Sequence, residues 1–241
     1  MKKLVFLMLA AVVAAGAATL TAGQTRKESP DIIAARHARD RASVWELQNI
    51  AERVGKESAE KKSFDAYLRL ALVQTWLCEA IESHKDDKLF KKAAEDGVAA
   101  AEMAVQLNPK SSEAHQLLGD LLNQLIPHVY GGGMRYGQRA SDEMDKAIAL
   151  DPENAGAYVS KSISLYYTPD SFGGSKTKAI EMLKKAVEVS PAEDSAHIWL
   201  AVFNLDAGKK KDALDEILLA RKINPDRAFT NYVFELVKAA K

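Results

Sequence analysis

From Pro30 onward, apolar residues recur at steps of three and four, the spacing that lines one face of a helix. Ile33, Val44, Leu47, Ile50 and Val54 predict one long helix from Pro30 to about Glu60. At the other end, Ala228, Phe229, Tyr232, Val233, Leu236 and Val237 predict an amphipathic final helix. Between them, four segments share a spacing in which a small residue is followed by Ala seven later and Pro five after that: Gly97-Ala104-Pro109, Ala140-Ala147-Pro152, Ala179-Ala186-Pro191 and Ala213-Ala220-Pro225. Residues seven apart share a helix face, and small side chains there let a neighbouring helix approach. Each Pro then ends its helix, because it disfavours helical geometry in the residue before it.

The prolines lie 43, 39 and 34 residues apart, and the last interval is the period of tetratricopeptide helix-turn-helix units. Leu200-Ala201 supply the large-small pair of a first helix, Gly208 the turn, and Ala213 and Ala220 the second helix; Leu118-Gly119 and Leu70-Ala71 fill the same pair in earlier repeats. On these residues the chain resembles the tetratricopeptide family. The third repeat departs, with Lys161-Ser162 at that pair. In the first repeat, the register requires a longer loop between the helices.

The extra residues of the second and third repeats fall between their helices, around Ile126-Pro127-His128-Val129-Tyr130-Gly131-Gly132-Gly133 and Tyr167-Thr168-Pro169-Asp170-Ser171-Phe172-Gly173-Gly174. Pro and Gly runs mark them as loops. The paired aromatic-Gly-Gly loops are similar to those of exported bacterial tetratricopeptide proteins, including the periplasmic helical component of TRAP-type solute transporters. The expected fold is therefore all-α, a right-handed α-α superhelical solenoid of tetratricopeptide-like repeats. Its parts are a signal peptide (1–23), an N-terminal linker and capping helix (24–62), four repeats (63–225) and a C-terminal capping helix (226–241). Repeat stacks need such caps to cover the terminal apolar faces.

The first 23 residues account for the export expectation. Met1-Lys2-Lys3 precede an apolar run from Leu4 to Leu20 that ends on the small Thr21-Ala22-Gly23, the build of a signal peptide. No acylatable cysteine follows, so no membrane anchor is expected, and the product is expected in the periplasm or secreted. Cys78 is the only cysteine, which precludes an intramolecular disulfide; its apolar neighbours suggest a buried small hydrophobe. The chain has 33 basic and 33 acidic residues, and this balance gives no reason to expect a nucleic-acid partner.

Nothing in the pattern points to catalysis. His37, His84, His115, His128 and His197 lack metal-ligand spacing, and Gly131-Gly132-Gly133 is not followed by the Lys-Ser/Thr of a phosphate loop. No metal or cofactor is expected, and the expected activity is that of an exported scaffold binding a protein or peptide; the alternative is a periplasmic solute-binding accessory of a transporter, holding a small ligand under the Gly-Gly loops. What the tetratricopeptide resemblance implies is a concave groove lined by the first helix of each repeat. By position, that groove takes Glu113, Gln116, Asp120 and Asn123 in the second repeat, Val159, Ile163 and Tyr166 in the third, and Ile198, Val202 and Leu205 in the fourth. Chaperone-binding members clamp a C-terminal carboxylate with Lys, Asn and Arg there; Gln116 and Asp120 at the first two positions preclude that clamp. The alternative role for the apolar members is packing between helices. A second candidate surface is the loop edge, with Tyr130, Tyr136, Tyr167 and Phe172, since both insertions join first to second helices. Phe172 suits both a binding contact and a plug folded onto the core, and the plug is the favoured reading.

Overall fold

The computed structural model describes residues 28–82 and 84–240; the signal peptide expected at 1–23 lies outside them. The described residues form eleven α-helices and no strand. They are α1 (Pro30–Asp40), α2 (Val44–Lys61), α3 (Phe64–Glu82), α4 (Asp87–Leu107), α5 (Ser112–Leu125), α6 (Gly132–Leu150), α7 (Ala155–Tyr167), α8 (Lys176–Val189), α9 (Asp194–Asp206), α10 (Lys210–Ile223) and α11 (Ala228–Ala239). Odd-numbered helices pack on one another in succession, and each even-numbered helix packs on the odd one before it. This is the α-α solenoid expected from the repeat, with the odd helices inside.

The repeated small-Ala-Pro spacing is visible as a repeated joint. Asn108, Asp151, Ser190 and Asn224 each leave the helix with φ between −134° and −143°, the extended geometry that a following Pro imposes. Each donates its N–H to the carbonyl of the seventh-position alanine, Ala104, Ala147, Ala186 or Ala220, at 2.9–3.0 Å. Those alanines are fully buried. A side-chain cap then opens the next inner helix in the second and third repeats: Ser111 Oγ accepts from Ala114 N and Asn154 Oδ1 from Ala157 N, satisfying donors that a helix start leaves free. Gly119 is equally fixed, since a Cβ there would lie 2.9 Å from Met144 Cγ and 3.1 Å from the Ala140 carbonyl.

Two expectations are corrected, and one departure from the repeat pattern is explained. The single helix from Pro30 to Glu60 is two, broken at Ala42, whose φ is +50°. Because α1 and α2 both pack on α3, one apolar stripe runs through the break and the spacing conceals it; Ile33 itself is exposed and Ile32 takes the core position. The N-terminal element is thus a helical hairpin stacked in the same way as the repeats. In the first repeat the extra residues lengthen α3 and α4 to 19 and 21 residues instead of their loop. The Lys161-Ser162 departure is accommodated: Ser162 is fully buried, and the Lys161 amine reaches across to α6, bonding Ser141 Oγ and Asp145 Oδ2 at 2.7 Å each.

Two histidines serve the same joint in different repeats. His115 Nδ1 meets Glu143 Oε2 at 2.5 Å and His197 Nδ1 meets Glu216 Oε2 at 2.7 Å. In each repeat the histidine lies on the first turn of the inner helix and the glutamate precedes the buried Met144 or Ile217, so inner and outer helices are tied at equivalent points.

The two ends of the array also meet. Helix α11 touches α1, and Arg227, fully buried just before α11, joins segments 148 residues apart. Its Nε and Nη2 donate to the Glu79 carboxylate on α3 at 3.1–3.2 Å, and its Nη1 donates to Asp194 Oδ1 and Ser195 Oγ at 2.9 Å on α9. Beside it Asn224 Nδ2 donates to Asp40 Oδ1, and Arg39 pairs with Asp40 while lying over the Trp76 ring. Burial works against the charge of Asp194, but Arg227 and Arg39 hold its carboxyl below the usual range.

Candidate interaction surface

The inner-helix residues expected to line an open groove are brought together as one succession of helix faces, and that face is closed. Gln116, Asp120 and Asn123 on α5, Val159, Ile163 and Tyr166 on α7, and Ile198 and Val202 on α9 are all buried; Glu113 and Leu205 are half-buried. The residues placed there by position are thus gathered on the inner helices, and none of the buried ones offers a surface to a partner. Tyr166 is a packing residue: it stacks on Phe203 with ring centroids 3.7 Å apart, and its hydroxyl donates to Asp206 Oδ2 at 2.5 Å. Burial, then the Asp206 carboxylate, pushes its phenol up.

Asp120 is the unusual member. It is fully buried, Gln116 Nε2 donates to its Oδ2 at 3.4 Å, and its Oδ1 has no hydrogen-bond partner. Burial pushes its carboxyl up to about 8, against hydrogen bonds from Ser160 and Gln116 that pull it down. It is therefore largely protonated at neutral pH. Cys78 is also buried, and burial pushes its thiol up, which leaves it unreactive.

The loops behave oppositely. Written in register, Ile126-Pro127-His128-Val129-Tyr130-Gly131-Gly132 and Thr168-Pro169-Asp170-Ser171-Phe172-Gly173-Gly174 repeat one plan. Each carries a single 3₁₀ turn and an aromatic immediately before a glycine at positive φ (+70° at Gly131, +90° at Gly173). The next glycine is pressed against the chain entering the loop. A Cβ on Gly132 would lie 2.3 Å from the Ile126 carbonyl oxygen, and one on Gly174 would lie 1.7 Å from that of Thr168. Only glycine fits either place, and the pair turns each aromatic outward. Tyr130 is fully exposed and Phe172 is 76% exposed. The core plug expected at Phe172 is thus overturned.

Tyr136 and Tyr167, the other expected edge residues, are half-buried against the core. Tyr167 stands edge-on to Trp199 at 6.2 Å. Two residues that the sequence did not single out join the edge: Trp45, 73% exposed at the start of α2, and Met134, 89% exposed in the first turn of α6. Trp45 lies off the apolar stripe of its helix, and Met134 directly follows the glycines; that pairing of a large apolar residue with a non-core register was the available signal. Every other large apolar side chain among the described residues is less than half exposed. All four lie where an inner helix turns into an outer one, which places them on one edge of the solenoid. Beside Phe172 an open pocket of about 680 Å³ is lined by Tyr166, Tyr167, Lys176 and the loop backbone. Lys176 there bonds Asp206 and covers the Tyr166 ring.

Among the described residues no group of three or more His, Cys, Asp or Glu could hold a metal ion, and no helix is long and apolar enough to cross a membrane.

The fold and its joints define a tetratricopeptide-type solenoid. No protein-family model matches the chain. Among solved structures it is similar to TTC0263, a thermophilic tetratricopeptide protein of Thermus thermophilus, with a TM-score of 0.53 and 17% identity over 80% of this chain and 98% of that one. Among curated proteins it resembles the mitochondrial import receptor subunit TOM70 of Rattus norvegicus and of Mus musculus, each 25% identical over 183 residues, or 73% of this chain. The chain spans 28% of the length of those relatives.

Proposed function

We propose that the protein is an exported interaction protein whose binding surface is the inner-to-outer turn edge, and that it binds another protein without catalysing a reaction. The observation that carries this is the exposure of Trp45, Tyr130, Met134 and Phe172 on one edge while the concave face is closed. Exposed aromatics grouped on one surface mark interaction sites, and aromatic anchors carry a large share of interface energy. The loop glycines hold two of these rings out at equivalent points of successive repeats. The partial resemblance to receptor subunits agrees with a protein partner. An accessory that holds a solute beneath its loops needs the loop aromatics turned inward around a void; Tyr167 does line an open pocket there, but Tyr130 and Phe172 face solvent, which favours the interaction surface.

Export rests on residues 1–23, and N-terminal sequencing of the mature chain should give a start near Gly23 or Gln24. The binding surface is tested with a photo-crosslinking residue placed in turn at Tyr130, Phe172 and the exposed Lys184 of α8. The first two should trap the same partner and the third should not. Equal trapping at Lys184, or none at Tyr130 and Phe172, would remove the edge from consideration.

A further inference from the structure

One carboxylate draws the loop of the third repeat and the turn of the fourth together. Asp206, the last residue of α9, accepts from the Tyr166 hydroxyl at 2.5 Å and from Lys176 Nζ at 2.8 Å, so the α7–α8 loop and the α9–α10 turn share one corner of the edge. Those bonds, first from Lys176 and then from Tyr166, hold the Asp206 carboxyl below its usual range. Gly208, at φ +74°, then reverses the chain and sets out Lys209, Lys210 and Lys211, all exposed, at the start of α10. Lys178, in the first turn of α8, is exposed as well.

These lysines do not serve the fold. Cations suit the last turn of a helix and oppose the dipole in the first, yet Lys176 and Lys178 open α8 and Lys210 and Lys211 open α10. Lys210 bonds the Lys238 and Ala240 carbonyls at the end of α11, whereas the amines of Lys178, Lys209 and Lys211 have no partner among the described residues. Asp170 in the loop and Asp212 in the first turn of α10 are exposed carboxylates without a cation there. The corner thus sets Lys176, Lys178, Lys209, Lys210 and Lys211 against Asp170, Asp206 and Asp212, and is positive on a chain whose charges balance overall.

Beside these charges stand Phe172, 76% exposed, and the open pocket of about 680 Å³ lined by Tyr166, Tyr167 and Pro169. A fitting occupant brings carboxylates to the lysines and an apolar side chain to the pocket. A bilayer surface, negative throughout, would meet Asp170 and Asp212 along with the lysines, whereas a polypeptide places its carboxylates singly.

Resting on the reading of the edge as a binding surface, we propose that the partner is engaged at this corner through an acidic segment that carries an apolar residue. Its carboxylates meet Lys178, Lys209 and Lys211, and its apolar side chain enters the pocket beside Phe172. Exposed charge pairs of this kind select and steer a partner more than they tighten its binding.

The probe is a fluorescein-labelled peptide, Gly-Asp-Glu-Leu-Glu-Phe-Asp-Glu-Gly, titrated into the full chain and followed by anisotropy at about 20 mM salt, where exposed charges are weakly screened. Its neutral counterpart carries Asn and Gln in place of Asp and Glu. The acidic peptide should bind saturably and about tenfold more tightly than the neutral one, the worth of two or three exposed ion pairs. That advantage should shrink at about 0.5 M salt. Lys209→Glu with Lys211→Glu should remove it, and this variant should fold, because acidic residues suit a first helical turn. Lys110→Glu with Lys184→Glu makes the same change of charge at exposed positions away from this corner and should keep it. Phe172→Ser should weaken both peptides alike. No saturable binding of the acidic peptide, equal affinity for the two peptides, or equal effects of the two double variants would overturn the proposal. So would binding to phosphatidylserine vesicles in preference to the acidic peptide, or a self-association that the Lys209→Glu, Lys211→Glu variant abolishes, since each names a different occupant. The edge itself is decided separately. If crosslinkers at Tyr130 and Phe172 trap a partner and the reversals at Lys209 and Lys211 leave that yield unchanged, the edge stands and the acidic segment falls; absence of trapping removes both.

Discussion

The concave face and the turn edge of this solenoid are built from the same repeats and make opposite use of their side chains. The concave face takes polar residues, Gln116, Asp120 and Asn123, and buries them, leaving one oxygen of Asp120 without a partner. The edge takes Trp45, Tyr130, Met134 and Phe172 and exposes them. Burial normally sorts residues the other way. The difference teaches that position in the repeat decides which way a side chain points, while the closure of the array and the loop glycines decide what it meets there.

The comparison can be broken most forcefully at the junction that closes the concave face. Arg227→Met should leave Glu79 and Asp194 buried without their cation and cost about 3–5 kcal/mol, or about 2–4 °C of melting temperature per kcal/mol for a domain of this size. A loss below about 1 kcal/mol by chemical denaturation, well short of that range, would mean the ends are not held as described.

Asp120 supplies the next test. Its carboxyl ionises near 3.8 when unfolded and near 8 when folded, so between those values the native state holds the extra proton. Its contribution is fully present below about pH 4 and is lost as pH rises to about 8, with a slope of at most about 1.4 kcal/mol per pH unit. Asp120→Asn should flatten the stability profile over that range and be the more stable protein at about pH 8. Parallel profiles would place Asp120 in contact with solvent.

Smaller still is the effect of bulk at a joint. Ala186→Leu should cost about 1–3 kcal/mol by overpacking, whereas Lys184→Leu on the exposed side of α8 should cost little; equal costs would mean that the repeat register is wrong. Smallest in stability is the edge itself. Tyr130→Ser with Phe172→Ser should stay within about 0.5 kcal/mol of wild type, as surface changes do, while losing the crosslinked partner. A folded double variant that keeps the partner at full yield would leave the loops a structural role only.

The joints were legible in the sequence because each rests on local chemistry: a Pro fixes the residue before it, and Ala104, Ala147, Ala186 and Ala220 recur at a fixed distance from that Pro. The direction of the inner-helix side chains followed from the same register. What was not legible depended on contacts between distant segments. Nothing near Arg227 in the chain announces Glu79, so the concave face read as open. The left-handed turn at Ala42 has no Gly or Pro to signal it. Phe172 ahead of two glycines suits a plug as well as a display, and the choice is made by the Thr168 carbonyl, which occupies the space a Cβ on Gly174 would need.

The contact between α11 and α1 changes what kind of object the repeat array is. An open stack interacts only between neighbours and frays inward from its termini, one unit at a time. Here the terminal units hold each other, so neither is a free end and fraying has no place to begin. Amide exchange in α1 and α11 should accordingly report the same opening free energy as the middle helices, and unfolding should proceed in one step. A chain shortened by α11 would return to the linear case, with α1, at the far end of the sequence, becoming the first element to exchange.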